Sequence, residues 1–149
     1  MAKVGGGLKA VFQSKANAEA TRKAIADLDR ISAATLEAER IERLDSATLR
    51  IHLREQNHGV AKFAGKYTVQ YSTTGDSVSW RTLEGNVNNQ GSARVVARPD
   101  GGSDVHWNQM VETEVPLPSL MAKAAAPLAA KITEASIRGY VGRLLGGLG

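Results

Sequence analysis

The run from residue 98 to residue 115 reads as one arm of a β-hairpin that alternates Val105, Trp107, Gln109, Val111, Thr113 and Val115 with Asp104, His106, Asn108, Met110, Glu112 and Glu114. Side chains on a strand point alternately to its two faces, so the first set is the buried one. That face nonetheless carries an amide and a hydroxyl. An amide buried without partners costs roughly 1–3 kcal/mol by mutational measures. Gln109 therefore needs a protein partner, an internal water or a ligand. Either Gln109 and Thr113 are satisfied core groups, or they line a cavity in which Gln109, with Thr82, orients one polar group of a bound molecule.

Other residue types capable of chemistry are more dispersed. Glu84 ends the strand of Trp80 and shares its inner parity, so it is the one carboxylate to follow as a partly desolvated acid or base. The plainer reading makes it a solvated strand end. His52 stands between Arg50 and Arg54 on an outward face, His58 falls in the turn "NHG", and His106 is on the wet side of its strand. None has metal-ligand spacing to another histidine or a carboxylate. The absence of cysteine removes disulfides, thiol nucleophiles and thiolate metal sites together. No G-x-S-x-G is present, and "GGG" at residues 5–7 lacks the Lys-Ser/Thr of a phosphate loop. Asp27 and Asp29 read as helix-end and loop-capping residues. No metal, cofactor or catalytic set is legible, and the chain reads as a binder rather than an enzyme.

The elements that would position these residues follow from periodicity. Residues 1–7 read as a flexible tail because consecutive glycines resist ordering, and residues 8–13 as a short first strand. Asn17 is an N-cap for a helix running to about Leu28. The following "DRISAATLEAER" can hold another helical turn before a strand through Ile41 and Leu44. From residue 47 the period is two. Leu49, Ile51 and Leu53 face inward, and so do Phe63, Gly65, Tyr67, Val69 and Tyr71. Val78, Trp80 and Thr82 share the next inner face. "GNVNNQ" reads as a loop before a strand with Gly91, Ala93, Val95 and Ala97 on one side. "TTGD" and "PDGG" are hairpin signals. Strands at hairpin spacing without helical crossovers make a largely antiparallel sheet. A long helix then runs from Pro118 or Ser119 to about Leu145, kinked by Pro127, with Leu120, Met121, Ala124, Leu128, Ile132, Ala135, Val141, Leu144 and Leu145 near one stripe. Residues 146–149 form a C-terminal tail.

The expected class is α+β, with a curved antiparallel sheet wrapped around the long C-terminal helix. Small residues on the inner face of the sheet and Ala124, Ala125, Ala129 and Ala135 on the helix mean either very close approach or unfilled space. Bulky groups prop the layers apart, so Phe63, Tyr67, Trp80, Val95, Trp107, Met121 and Leu128 are the expected walls of a pocket.

At 149 residues with 42% hydrophobic and 23% charged residues, the chain has an ordinary globular composition. The net charge of +4 is offset locally by four acids against two bases in residues 37–45, which suits solubility rather than nucleic-acid binding. No apolar leader and no run of 18 apolar residues occur, so a cytoplasmic protein is expected. Lys123, Lys131, Arg138 and Arg143, against Glu134, would let the last helix rest on an anionic surface at the inner membrane face. They equally suit the charged outer face of a packed helix.

The order of elements resembles the START-like, or SRPBCC, superfamily with its helix-grip fold. "ANAEATRKAIADLDRI" is similar to the first-helix pattern, though Thr21 and Arg22 stand where members commonly place an apolar residue and a tryptophan. "VSWRTLEGNVNNQGSARVVARPDGGSDVHW" resembles the tryptophan strand, the glycine-led strand and the hairpin before the last strand. The branch closest in look is the carbon monoxide dehydrogenase G-subunit family, with polyketide-cyclase-like relatives. The resemblance implies a single domain over residues 8–145, a lipid- or quinone-like ligand sequestered or transported in an internal cavity, and an oxidoreductase partner. Two alternatives stand beside it. A cyclase or hydrolase would use a pocket acid or base. An interaction module or accessory protein would have a filled core and would act through the outer face bearing Arg50, His52, Arg54 and Lys62.

Overall fold

A computed structural model describes residues 2–57 and 62–148. Of the turn expected at residues 57–59, Asn57 ends a strand and residues 58 and 59 lie outside the described residues, as does the Lys62 side chain. In chain order the elements are β1 (Ala2–Ser14), α1 (Ala18–Ile25), α2 (Leu28–Ala34), β2 (Ala38–Asp45), β3 (Thr48–Leu53) and β4 (Gln56–Asn57). They continue with β5 (Lys62–Phe63), β6 (Lys66–Thr74), β7 (Ser77–Gly85), β8 (Val87–Ala97), β9 (Ser103–Val115) and α3 (Ser119–Leu145). Seven strands form one antiparallel sheet in the order β1-β9-β8-β7-β6-β3-β2, and β4 pairs with β5. The sheet curves around α3, which is the helix-grip arrangement expected from the sequence. Among the described residues no helix is long and apolar enough to cross a membrane.

Local chemistry explains most boundaries. The Asn17 carboxamide accepts from the Ala20 amide at 2.8 Å and starts α1. Asp27 accepts from the Asp29 and Arg30 amides and starts α2, which supplies the further helical turn in "DRISAATLEAER", while the first helix stops at Ile25. Gly75 (φ +60°) and Gly101 (φ +90°) occupy the left-handed positions that turn the β6–β7 and β8–β9 hairpins. Thr21, fully buried, joins a hydroxyl knot: its Oγ1 lies 2.9 Å from Ser14 Oγ, and Ser103 Oγ donates to the Ala16 carbonyl at 2.7 Å. The polar residue at this helix position therefore has its partners on the sheet. α2 and α3 cap one another's C-termini. Arg30 donates to the Leu144 and Gly146 carbonyls, and Arg143 donates to the Ala34 carbonyl.

Three sequence expectations are corrected. The glycine run is not a tail, because β1 begins at Ala2 and pairs with β9 along its whole length. A Cβ on Gly6 would stand 2.9 Å from Ala130 Cα, so glycine is what lets α3 lie directly on the strand. The "GNVNNQ" loop is also strand, since β8 starts at Val87 with that side chain buried. On α3 the sheet-facing side chains are Ala122, Ile137, Val141 and Leu144, whereas Leu120 (80% exposed), Met121 and Leu128 (64%) face outward. Apolar residues lie on several sides of this helix, so spacing alone did not fix its orientation. The Gly6–Ala130 contact turns the alanine side inward at that level.

Candidate ligand-binding site

Between the concave sheet face and α3 lies a cavity of about 320 Å³. That volume falls within the usual range for small-molecule sites. Phe63, Tyr67, Tyr71, Trp80, Trp107 and Tyr140 line it, which is six of the seven aromatic residues in the chain. The seventh, Phe12, packs edge-on behind Trp107 with ring centroids 6.4 Å apart. Trp80 and Trp107 are tilted against each other with centroids 4.9 Å apart, a geometry that holds both rings rigid. Exposed Glu37 and Arg54 meet exposed Ile132 and Ser136 of α3 along the lining, and these mark the mouth.

A polar chain runs along the wall. Trp107 Nε1 donates to Gln109 Oε1 at 3.0 Å, and Gln109 Nε2 donates to Asn89 Oδ1 at 2.8 Å. Trp80 Nε1 donates to the same Asn89 oxygen at 3.0 Å. Gln109, only 7% exposed, is thus a satisfied polar group that also lines the cavity. The two possibilities raised by its sequence position both hold. Thr113 lines the cavity as well.

Asn89 is the residue that sequence reading missed. It sits inside the segment read as a loop, and its only signal is its distance of two residues from Val87 and Gly91 on the same strand face. Thr82 positions it, accepting from the Asn89 amide nitrogen at 2.8 Å and donating to its carbonyl at 3.2 Å. Thr82 itself does not line the cavity. Its hydroxyl bridges β7 and β8 beyond the last paired residues of their ladder.

Four other expected positions also move. Val95 is buried in the core away from the cavity, and Met121 and Leu128 lie on the outer surface of α3. Glu84 points to the opposite face of the sheet. Val69 pairs with Thr82, but the next residue back, Thr68, pairs with Glu84, so Leu83 is an extra residue. This bulge reverses the parity on which the expectation rested. The Glu84 carboxylate, 70% exposed, lies 3.6 Å from an Arg50 guanidinium nitrogen and within reach of Thr68 Oγ1. It belongs to an outer polar face with Glu42, whose carboxylate is 2.7 Å from His52 Nε2 and 2.6 Å from an Arg40 nitrogen. Those contacts, His52 first, hold the Glu42 carboxyl below its ordinary range.

The three phenols keep their protons. Burial pushes Tyr67 up to about 12, partly offset by a hydrogen bond from the Asn89 side chain. Burial also raises Tyr71 and Tyr140, with neighbouring phenols adding to the effect. The inner wall is therefore neutral at physiological pH, with hydroxyl, indole and amide groups as its only polar atoms beside the backbone. Among the described residues the one carboxylate on the lining is Glu37, at the mouth, and no histidine lines it.

The chain has the START-like helix-grip fold. A START superfamily protein from Mycobacterium smegmatis superposes with a TM-score of 0.61 at 15% identity, covering 94% of this chain and 99% of that one. An aromatase/cyclase from a Streptomyces species gives a TM-score of 0.66 at 13% identity, covering 94% and 91%. Norcoclaurine synthase from Thalictrum flavum, in complex with dopamine and hydroxybenzaldehyde, gives 0.60 at 12% identity, covering 95% and 87%. No protein-family model and no curated protein matches the chain.

Proposed function

We propose that this protein binds and sequesters a neutral hydrophobic or amphipathic small molecule in its internal cavity. The observation that carries the reading is the concentration of six of seven aromatic side chains around about 320 Å³ of space beside a satisfied indole–amide chain. Protein interiors otherwise pack to a density near 0.75, so a space of this size calls for an occupant. Removal of apolar ligand area from water, at roughly 25 cal/mol per Å², supplies the affinity, and the polar wall supplies orientation.

Two structural neighbours bear the names of a cyclase and a synthase. Comparable proton-transfer chemistry here would call for a carboxylate or imidazole deep in the cavity, and the lining of the described residues offers only Glu37 at the mouth. That favours binding over catalysis. The cavity itself argues against an interaction module with a filled core. Ligand exchange with a membrane would use the outer side of α3, where exposed Leu120, Met121 and Leu128 lie among Lys123 and Lys131.

Native mass spectrometry of the freshly purified protein, before and after organic extraction, tests the reading. The expected result is a mass excess that extraction removes, with a lipophilic species recovered from the solvent. A clean unliganded mass, together with no binding of 2-ethylnaphthalene to the folded protein, overturns it.

A further inference from the structure

The side of α3 turned away from the sheet carries a pattern of its own. Met121, Ala125, Leu128, Ile132 and Ala135 are all exposed and follow one another at intervals of four, three, four and three residues. That alternation keeps side chains in one line along a helix, as in the seam of a coiled coil. Gly6 seats Ala130 on the sheet, and Leu128 stands roughly 160° around the helix from Ala130. The seam therefore runs along the outer side and passes the cavity mouth at Ile132. Leu128 is 64% exposed, Ile132 59% and Met121 45%. Singly exposed apolar residues are ordinary, but a continuous line of them marks an interaction surface. Here Met121, Leu128 and Ile132 are knobs, and Ala125 and Ala135 leave the holes between them.

The charge beside the seam has one sign. Between Ser119 and Leu145 the bases are Lys123, Lys131, Arg138 and Arg143, and the only acid is Glu134. Glu134 already pairs with Arg138 at 3.3 Å, and Arg143 donates to the Ala34 carbonyl. Exposed Lys123 and Lys131 form no ion pair among the described residues. We propose that this seam is a docking site for an acidic amphipathic helix of a partner protein. The partner's large apolar side chains seat over Ala125 and Ala135, and its carboxylates lie beside Lys123 and Lys131. A second copy of α3 would bring its own lysines to the same place, and a net charge of +4 on each chain opposes that pairing. An anionic bilayer would satisfy the lysines, but a flat surface resting on the seam also meets Glu37 at the mouth beside Ile132. A helix about 10 Å across covers the seam alone. Docking there does not depend on what the cavity holds.

The probes are two fluorescein-labelled three-heptad peptides, both with Leu at the seam positions and Ala elsewhere, flanked in one by Glu and in the other by Lys. Fluorescence anisotropy with the full chain gives their affinities. The acidic peptide is expected to bind at least roughly tenfold more tightly than the basic one. Leu128→Glu, at a solvent-exposed position, is expected to keep the wild-type circular dichroism and melting temperature and to weaken the acidic peptide at least roughly tenfold. Lys131→Glu is expected to narrow the preference for the acidic peptide. Slower hydrogen exchange on docking is expected within residues 121–135. Equal affinity for the two peptides, no binding of either, or binding that Leu128→Glu leaves intact overturns the proposal. Two further outcomes overturn it by naming another occupant. Co-sedimentation with phosphatidylglycerol vesicles that Leu128→Glu abolishes, without peptide binding, makes the seam a bilayer site. A concentration-dependent dimer in sedimentation velocity that the same variant abolishes makes it a contact between copies.

Discussion

Gln109 is held at both ends of its amide, by Trp107 and by Asn89, so replacing it acts on stability before it acts on any ligand. In Gln109→Leu the buried Trp107 N–H loses its acceptor and Asn89 loses one donor. An unpaired buried donor costs about 1–3 kcal/mol, and this variant is expected to lose that much in a urea or guanidinium titration. Asn89→Leu removes the acceptor of both Trp80 and Gln109 and is expected to cost more. Equal stabilities for the two variants and the wild-type chain would mean that water satisfies the indoles instead. Gln109 was legible in the sequence because strict alternation on β9 leaves an amide on the apolar face. Asn89 was not, because three polar residues after a glycine have the composition of a loop. β8 stays strand there because its ladder to β9 pairs Val87 with Thr113 and Asn89 with Val111.

The two halves of α3 are held by different forces, although the helix is continuous from Ser119 to Leu145. Its C-terminal half buries Ile137, Val141 and Leu144 and is tied to α2 by Arg30 and Arg143. Its N-terminal half buries only Ala122, and Pro127 cannot donate the hydrogen bond that the turn before it would accept. Local opening free energy follows buried apolar contact and capping. In hydrogen–deuterium exchange, amides of residues 120–131 are therefore expected to exchange at least roughly tenfold faster than those of residues 137–145. Uniform protection along the helix would show that the Gly6–Ala130 contact alone anchors the first half. The extent of α3, the hairpins and the antiparallel sheet could be read from period and turn residues. The face that α3 presents to the sheet could not. It depends on Gly6, at the other end of the chain, on a strand whose own composition reads as disordered.

At the scale of the whole molecule, folding gathers every tyrosine of the chain, Tyr67 and Tyr71 from β6 and Tyr140 from α3, around one cavity. Their ionisation is consequently a reporter of the fold. In the unfolded chain a phenol titrates near 10. In the folded chain burial raises Tyr67 to about 12, and Tyr71 and Tyr140 are raised in the same direction. A folded-state pKa above the unfolded one means that the unfolded chain releases its protons first. The stability that accompanies the neutral phenols is complete below pH 10 and is lost as pH rises from there through the folded-state values. For Tyr67 alone, a rise from 10 to about 12 corresponds to roughly 3 kcal/mol. Tyrosinate absorbance at alkaline pH is thus expected to stay low through the range where free tyrosine ionises. It should then appear for all three residues in one steep step, coincident with loss of the near-ultraviolet circular dichroism of Trp80 and Trp107. An occupant that hydrogen-bonds to the neutral hydroxyls would move this step to still higher pH, since it stabilises only the protonated folded form. Three separate phenol titrations near 10, with the indole dichroism intact, would place the tyrosines in water and leave the cavity without its wall.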